Sequence, residues 1–155
     1  MESYIYFARR WDYRMGSTHK NFSSLYRWRM EGNGYSEKEA KENVRFEGQI
    51  KVGETASFKT RERNLHYYDG GMDIQRYVKF DGTHDERLFV EAYIRCKYAT
   101  NKNMEKDGND HFYCRNINTI KGAENKFFQY CAEAFAMMEQ IKGKKYSYEC
   151  VVHKK

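Results

Sequence analysis

The sequence predicts an α+β fold: an antiparallel β-meander of about five strands, one long C-terminal amphipathic helix packed on the sheet, and a short helical segment at the N-terminus. Three observations predict it. Apolar residues alternate strictly with polar ones in several runs through the middle of the chain, the period of a half-buried strand. One stretch near the C-terminus repeats its apolar residues at three- and four-residue steps instead, the period of a helix with one buried stripe. The segments between carry Gly, Asn and Asp, which must supply all the turn chemistry because the 155 residues contain no proline.

In chain order, Tyr4–Phe7 is expected to form a short strand. Asn21 or Ser23 can cap a helix running to Met30, and Gly32-Asn33-Gly34 breaks it. Ser36 to Glu39 then matches the S-x-x-E capping box that opens a second short helix. A strand is expected over Arg45–Val52, with Phe46, Ile50 and Val52 on one face, followed by an irregular extended stretch from Ser57 to Tyr68. Asp69-Gly70-Gly71 makes a turn. Beyond it Met72, Ile74, Val78 and Phe80 alternate with Asp73, Gln75, Tyr77 and Lys79. The turn residues Asp81 to Asp85 join this run to a second, in which Leu88, Val90, Ala92, Ile94, Cys96 and Tyr98 alternate with Arg87, Phe89, Glu91, Tyr93, Arg95 and Lys97. The pair is expected to be a β-hairpin.

After a polar loop from Asn101 to Asp110, a short strand is expected over His111–Ile117. The helix follows, from about Gly122 to Lys142, with Phe127, Phe128, Cys131, Ala134, Phe135, Met138 and Ile141 on its apolar stripe. Gly143 stands at the position that ends such a helix. A last strand over Lys144–Val152 turns Tyr146, Tyr148, Cys150 and Val152 one way. The length fits a single domain over residues 1–155, divided into a basic, aromatic, helical segment (1–44) and the sheet with its helix (45–155).

Leu, Ile, Val and Phe number only 26 of 155 residues, below the ~20% at which disorder becomes the first expectation. Fourteen Tyr, seven Met and two Trp make up the deficit and imply an aromatic-rich core. No apolar run approaches the ~18 residues that span a bilayer. The first residues lack the basic and apolar regions of a secretory signal, so a cytoplasmic protein is expected. Cys96, Cys114, Cys131 and Cys150 are then reduced thiols that fill core space as small hydrophobes.

No pattern spells an active site, and no cofactor is expected. His111 and Cys114 have half of a zinc-ligand spacing, without the other half. The carboxylates Asp69, Asp73, Asp81, Asp85, Glu86 and Glu91 are dense enough for a metal-dependent nuclease to be weighed, but three of them sit in turns, where Asp serves the backbone. The histidines stand in polar surroundings, and there is neither a nucleophile elbow nor a phosphate-cradling glycine loop.

Surface chemistry points instead to binding. The chain has 28 Lys and Arg against 22 Asp and Glu, a net charge of +6, and a pI near 9.0. Residues 1–30 hold six bases (Arg9, Arg10, Arg14, Lys20, Arg27 and Arg29) against two acids, interleaved with aromatics that include Trp11 and Trp28. Helix, glycine turn and second helix over residues 22–42 have the outline of a helix-turn-helix. On the expected strand Arg87–Tyr98 one face carries Arg87, Phe89, Tyr93, Arg95 and Lys97, cations and rings interleaved as in single-strand binders. These residues predict a non-catalytic nucleic-acid-binding accessory protein, with DNA and RNA equally open. The alternative is a phage- or mobile-element-encoded inhibitor or adaptor that docks its Arg- and Tyr-rich surface on a host protein, such as a nucleic-acid-guided defence nuclease, in the anti-CRISPR manner.

Overall fold

The computed structural model describes residues 1–10, 48–68, 72–107, 111–114 and 117–153, and across them the fold is α+β. Six strands form one antiparallel sheet: β1 (Glu2–Arg10), β2 (Gly48–Thr55), β3 (Met72–Asp81), β4 (Met104–Asp107), β5 (His111–Cys114) and β6 (Tyr148–Val152). Three helices join them: α1 (Phe58–Tyr68), α2 (His84–Ala99) and α3 (Ile117–Lys142). The order across the sheet is β4-β5-β2-β1-β3-β6. It departs from chain order three times: α1 carries the chain from β2 past β1 to β3, α2 carries it from β3 to β4 at the far edge, and α3 carries it from β5 back to β6. The expected helices within residues 22–42, Phe46 and the turn at Asp69–Gly71 lie outside the described residues. None of the described helices is long and apolar enough to cross a membrane.

β1 runs through the middle of the sheet and sorts the core by alternation. Ile5 and Phe7 point to one side, where α2 and α3 cover them together with Ile50, Val52, Val78 and Phe80. Tyr6 and Ala8 point to the other, where Leu65 of α1 closes over them with Met72 and Ile74. The long C-terminal helix lies across the sheet as its periodicity requires: Phe127, Cys131, Ala134, Phe135 and Met138 are all buried. It begins at Ile117, earlier than expected, and Ile141 falls outside the stripe at 68% exposed.

Four sequence expectations are corrected. The run Arg87–Tyr98 is not a strand but the greater part of helix α2. Of its expected inward set, only every second member is buried: Val90, Ile94 and Tyr98, while Leu88 and Cys96 are exposed. A four-residue step satisfies both a period of two and a period near 3.6, so alternation in that run did not discriminate. The deciding signal lies just upstream. Thr83 accepts from the Glu86 amide at 3.2 Å, and Glu86 accepts from the Thr83 amide at 2.9 Å. This capping box starts a helix where a hairpin turn was expected.

The stretch Ser57–Tyr68 is helical from Phe58 onward, not extended. Among its described side chains the apolar inward ones are Phe58 and Leu65, seven residues apart, too sparse a pattern to read as a stripe. The third correction concerns β3. Phe7 pairs with Arg76 and Ala8 with Ile74, so Gln75 is the extra residue of a β-bulge. The bulge sends Met72 and Ile74 to the α1 side and Val78 and Phe80 to the α3 side, although in sequence all four alternate on one face. Fourth, Cys96 and Cys150 are exposed, not inward. Cys114 and Cys131 are buried, and desolvation pushes both thiols up, Cys114 to about 12, so both stay protonated as apolar filler.

Candidate nucleic-acid interface

Turning Arg87–Tyr98 into a helix scatters the cations and rings that a strand would have aligned. Arg87 points inward. Its Nε donates to Glu54 Oε2 at 2.7 Å and its Nη1 to Ser3 Oγ at 3.0 Å, while Nη2 lies 3.3 Å from His84 Nδ1. Ser3 is itself fully buried and donates to the Gly82 carbonyl at 2.9 Å. The arginine therefore ties the start of β1 and the end of β2 to the first turn of α2. Phe89 and Tyr93 are half-buried and pack against the core. Tyr93 donates to Glu133 Oε1 at 2.7 Å, and Lys97 stands 3.6 Å from the same oxygen and over the Tyr93 ring. Arg95 pairs with Glu91 one turn back, at 3.2 Å. Each cation of α2 thus already faces a carboxylate, which leaves this helix little net field for an incoming phosphate.

Of the N-terminal candidates, Arg9 is half-buried in β1, opposite Ile50 and Asp73, and Arg10 ends the strand. Trp11, Arg14, Lys20, Arg27, Trp28 and Arg29 lie outside the described residues.

Acidic side chains are equally committed. Glu86 is the most enclosed, at 2% exposed. Burial alone would raise its carboxyl. The Tyr146 hydroxyl, the Thr83 amide, and the ammonium groups of Lys142 and Lys144 at 3.6 and 3.4 Å outweigh that and hold it at about 2. The cluster pins the end of α3 and the following loop to the head of α2. Because the folded-state pKa lies below the unfolded value, the stabilisation is full above about pH 4.5 and is lost as the pH falls toward 2. Glu86→Gln is expected to cost about 1–2 kcal/mol at pH 7 and to flatten that acid limb. Urea melts of both forms from pH 7 to pH 2.5 check it, and parallel pH profiles would refute it.

Among the described residues no three His, Cys, Asp or Glu side chains converge to hold a metal ion. Glu91 and Asp73 of the weighed acidic set face Arg95 and His66, and Asp81 faces the Met1 amino group.

The feature that sequence reading missed is α1. Its inward side is set by Phe58 and Leu65. Glu62, its one acid, is taken by His153 at the end of β6, and His66 reaches back to Asp73 at 3.1 Å. What remains for solvent is Lys59, Thr60, Arg63, Asn64 and Tyr67, all exposed, Tyr67 at 63%. At 100° per residue these five span one continuous face. Lys59, Arg63 and Tyr67 stand at successive four-residue steps along it. The face holds two cations with no ion-pair partner among the described residues, two hydrogen-bonding side chains, one largely exposed aromatic ring that meets His66 edge-on at 4.9 Å, and no carboxylate. The spacing of Lys59, Arg63 and Tyr67 was visible in the sequence, but only within a helix does it place them together.

Protein-family models, curated proteins and solved structures all returned no match to this chain. The class is therefore defined by the fold and the surface alone: an α+β sheet protein whose described residues include an acid-free basic face on α1.

Proposed function

We propose that the protein is a non-catalytic nucleic-acid-binding protein of the cytoplasm, and that the outer face of α1 is one of its contact surfaces. The acid-free face carries this reading. Lys59 and Arg63 sit one helical turn apart, a spacing at which both ammonium and guanidinium can reach phosphates of one backbone. Thr60 and Asn64 add neutral donors beside them, and the exposed side of the Tyr67 ring, whose neighbour is His66, offers a base a stacking partner worth ~1–3 kcal/mol. The overall charge of +6 and the six bases among residues 9–29 add a field of the same sign. Exposed free thiols at Cys96 and Cys150 suit a reducing compartment.

Fluorescence anisotropy with labelled single- and double-stranded DNA and RNA at two salt concentrations tests the proposal. Binding is expected at low salt and should weaken as salt rises. Lys59→Ala with Arg63→Ala should weaken it about tenfold or more and lower the salt slope by one to two released ions. Tyr67→Ala should weaken single strands more than duplexes. No binding to any of the four nucleic acids at low salt refutes the proposal. In that case Arg63 and Tyr67, residue types enriched at protein hot spots, become the anchors of the inhibitor or adaptor reading, tested by capture of a host protein that Tyr67→Ala releases.

A further inference from the structure

The two edges of the sheet are built differently. β4 closes one edge with four residues, Met104 to Asp107, three of them charged, which is how sheets discourage pairing with another chain. β6 closes the other with Tyr148-Glu149-Cys150-Val151-Val152, a single charge among five residues. Tyr148 is 37% and Val152 51% exposed, and Cys150 lies open between them. His153 donates its amide to the Gln75 carbonyl at 2.8 Å, so the odd-numbered residues of β6 turn their backbone groups inward to β3. The N–H and C=O groups of Tyr148, Cys150 and Val152 therefore point outward, along an edge beyond which the described residues place no further strand.

We infer that β6 is an interface strand that pairs antiparallel with β6 of a second copy, about a two-fold axis at Val151. The strand is self-complementary in this sense only. Its first half carries Glu149 and its end carries His153, followed by Lys154 and Lys155. Antiparallel pairing sets Glu149 of each copy beside the partner's His153, whose ring its own Glu62 already meets, whereas parallel pairing would set Glu149 against Glu149. In the same register Cys150 lies opposite the partner's Val152, so the exposed apolar side chains cover one another and their outward backbone groups exchange hydrogen bonds. Phe135 stacks on Tyr148 at 4.4 Å and stiffens the strand before pairing.

One strand edge buries less than the ~1,000 Å² expected of a stable interface, so the dimer is a weak one, with a Kd of about 10–100 µM. An axis perpendicular to the sheet leaves both α1 helices on the same side. From β3 to its counterpart the joined sheet spans about 14 Å at ~4.8 Å per strand spacing, with both Lys59–Arg63–Tyr67 faces on the same side of it. The pairing itself does not depend on what α1 binds.

Sedimentation equilibrium of the full chain across micromolar to submillimolar concentrations tests the inference without any nucleic acid. The mass is expected to rise from 18.7 kDa toward twice that value. In Cys96→Ser, which leaves Cys150 as the exposed thiol, a short bismaleimide should link two chains, because diagonal neighbours in this register sit ~7–8 Å apart. Val152→Lys and Cys150→Lys each put a charge on an exposed edge position, and both should hold the mass at one chain with an unchanged circular dichroism spectrum. A single-chain mass throughout, or a dimer that survives both lysine variants, would overturn the inference.

Discussion

Replacing Glu54 with leucine is expected to cost about 3–5 kcal/mol. The side chains of Glu54 and Arg87 are 15% and 8% exposed, and among the described residues Glu54 is the one carboxylate paired with that guanidinium. Removing it leaves a charge at the junction of β1, β2 and α2 that, among the described residues, the Ser3 hydroxyl and His84 are left to answer. An unpaired buried charge costs more than the ion pair itself contributes. For that reason the double variant Glu54→Leu with Arg87→Met should recover most of the loss, to within about 1–2 kcal/mol of the wild type. Urea denaturation of the wild type, both single variants and the double variant closes the cycle. A double variant as unstable as the sum of the singles would show that the pair is not coupled as its geometry requires.

Gly53→Ala is the second large effect, about 3 kcal/mol of destabilisation. Tyr6 and Gly53 are direct partners across β1 and β2, and the hydroxyl end of the Tyr6 ring occupies the space a Cβ at the glycine would take. A Cβ at Gly53 would stand 2.1 Å from the Tyr6 hydroxyl oxygen and 2.2 Å from the carbon that bears it. The ring cannot swing away cheaply, because Tyr6 is fully buried beneath Leu65 and α1. Pairing Gly53→Ala with Tyr6→Leu makes room, so the double variant should be more stable than the sum of the two single losses predicts. Urea midpoints at constant m-value give the answer. A loss below about 0.5 kcal/mol for Gly53→Ala would mean that the strand yields where the geometry says it cannot.

The α1 face and the β6 edge have in common that they become visible only when backbone conformation is known. Lys59, Arg63 and Tyr67 are ordinary polar punctuation in a stretch whose apolar residues are too few to reveal a helix. The reverse happened at Arg87–Tyr98. There cations and rings alternate as in a base-stacking strand, yet the helix turns Arg87 into the core, packs Phe89 and Tyr93 against the core, and neutralises Arg95 and Lys97 with Glu91 and Glu133. The four-residue step of Val90, Ile94 and Tyr98 fits both conformations. Only the capping box at Thr83 and Glu86 separated them, and it was hidden in residues that also suit a hairpin turn.

What the sequence determined by itself is the class of the fold: an antiparallel sheet with a long helix from the end of the chain across it, an aromatic core and a basic surface. Those features follow from patterns written within single elements, such as the repeated three- and four-residue steps of Phe127, Cys131, Ala134, Phe135 and Met138. The tertiary structure alone decided three things. One is that the bulge at Gln75 sends Met72 and Ile74 to one side and Val78 and Phe80 to the other. Another is that Glu54, thirty-three residues before Arg87, takes that cation out of the surface. The last is that β6, with one charge in five residues, and not β4, with three in four, presents the less charged edge. Each depends on partners far apart along the chain, and local periodicity carries no information about which distant residue will supply the opposing charge, the extra residue or the neighbouring strand.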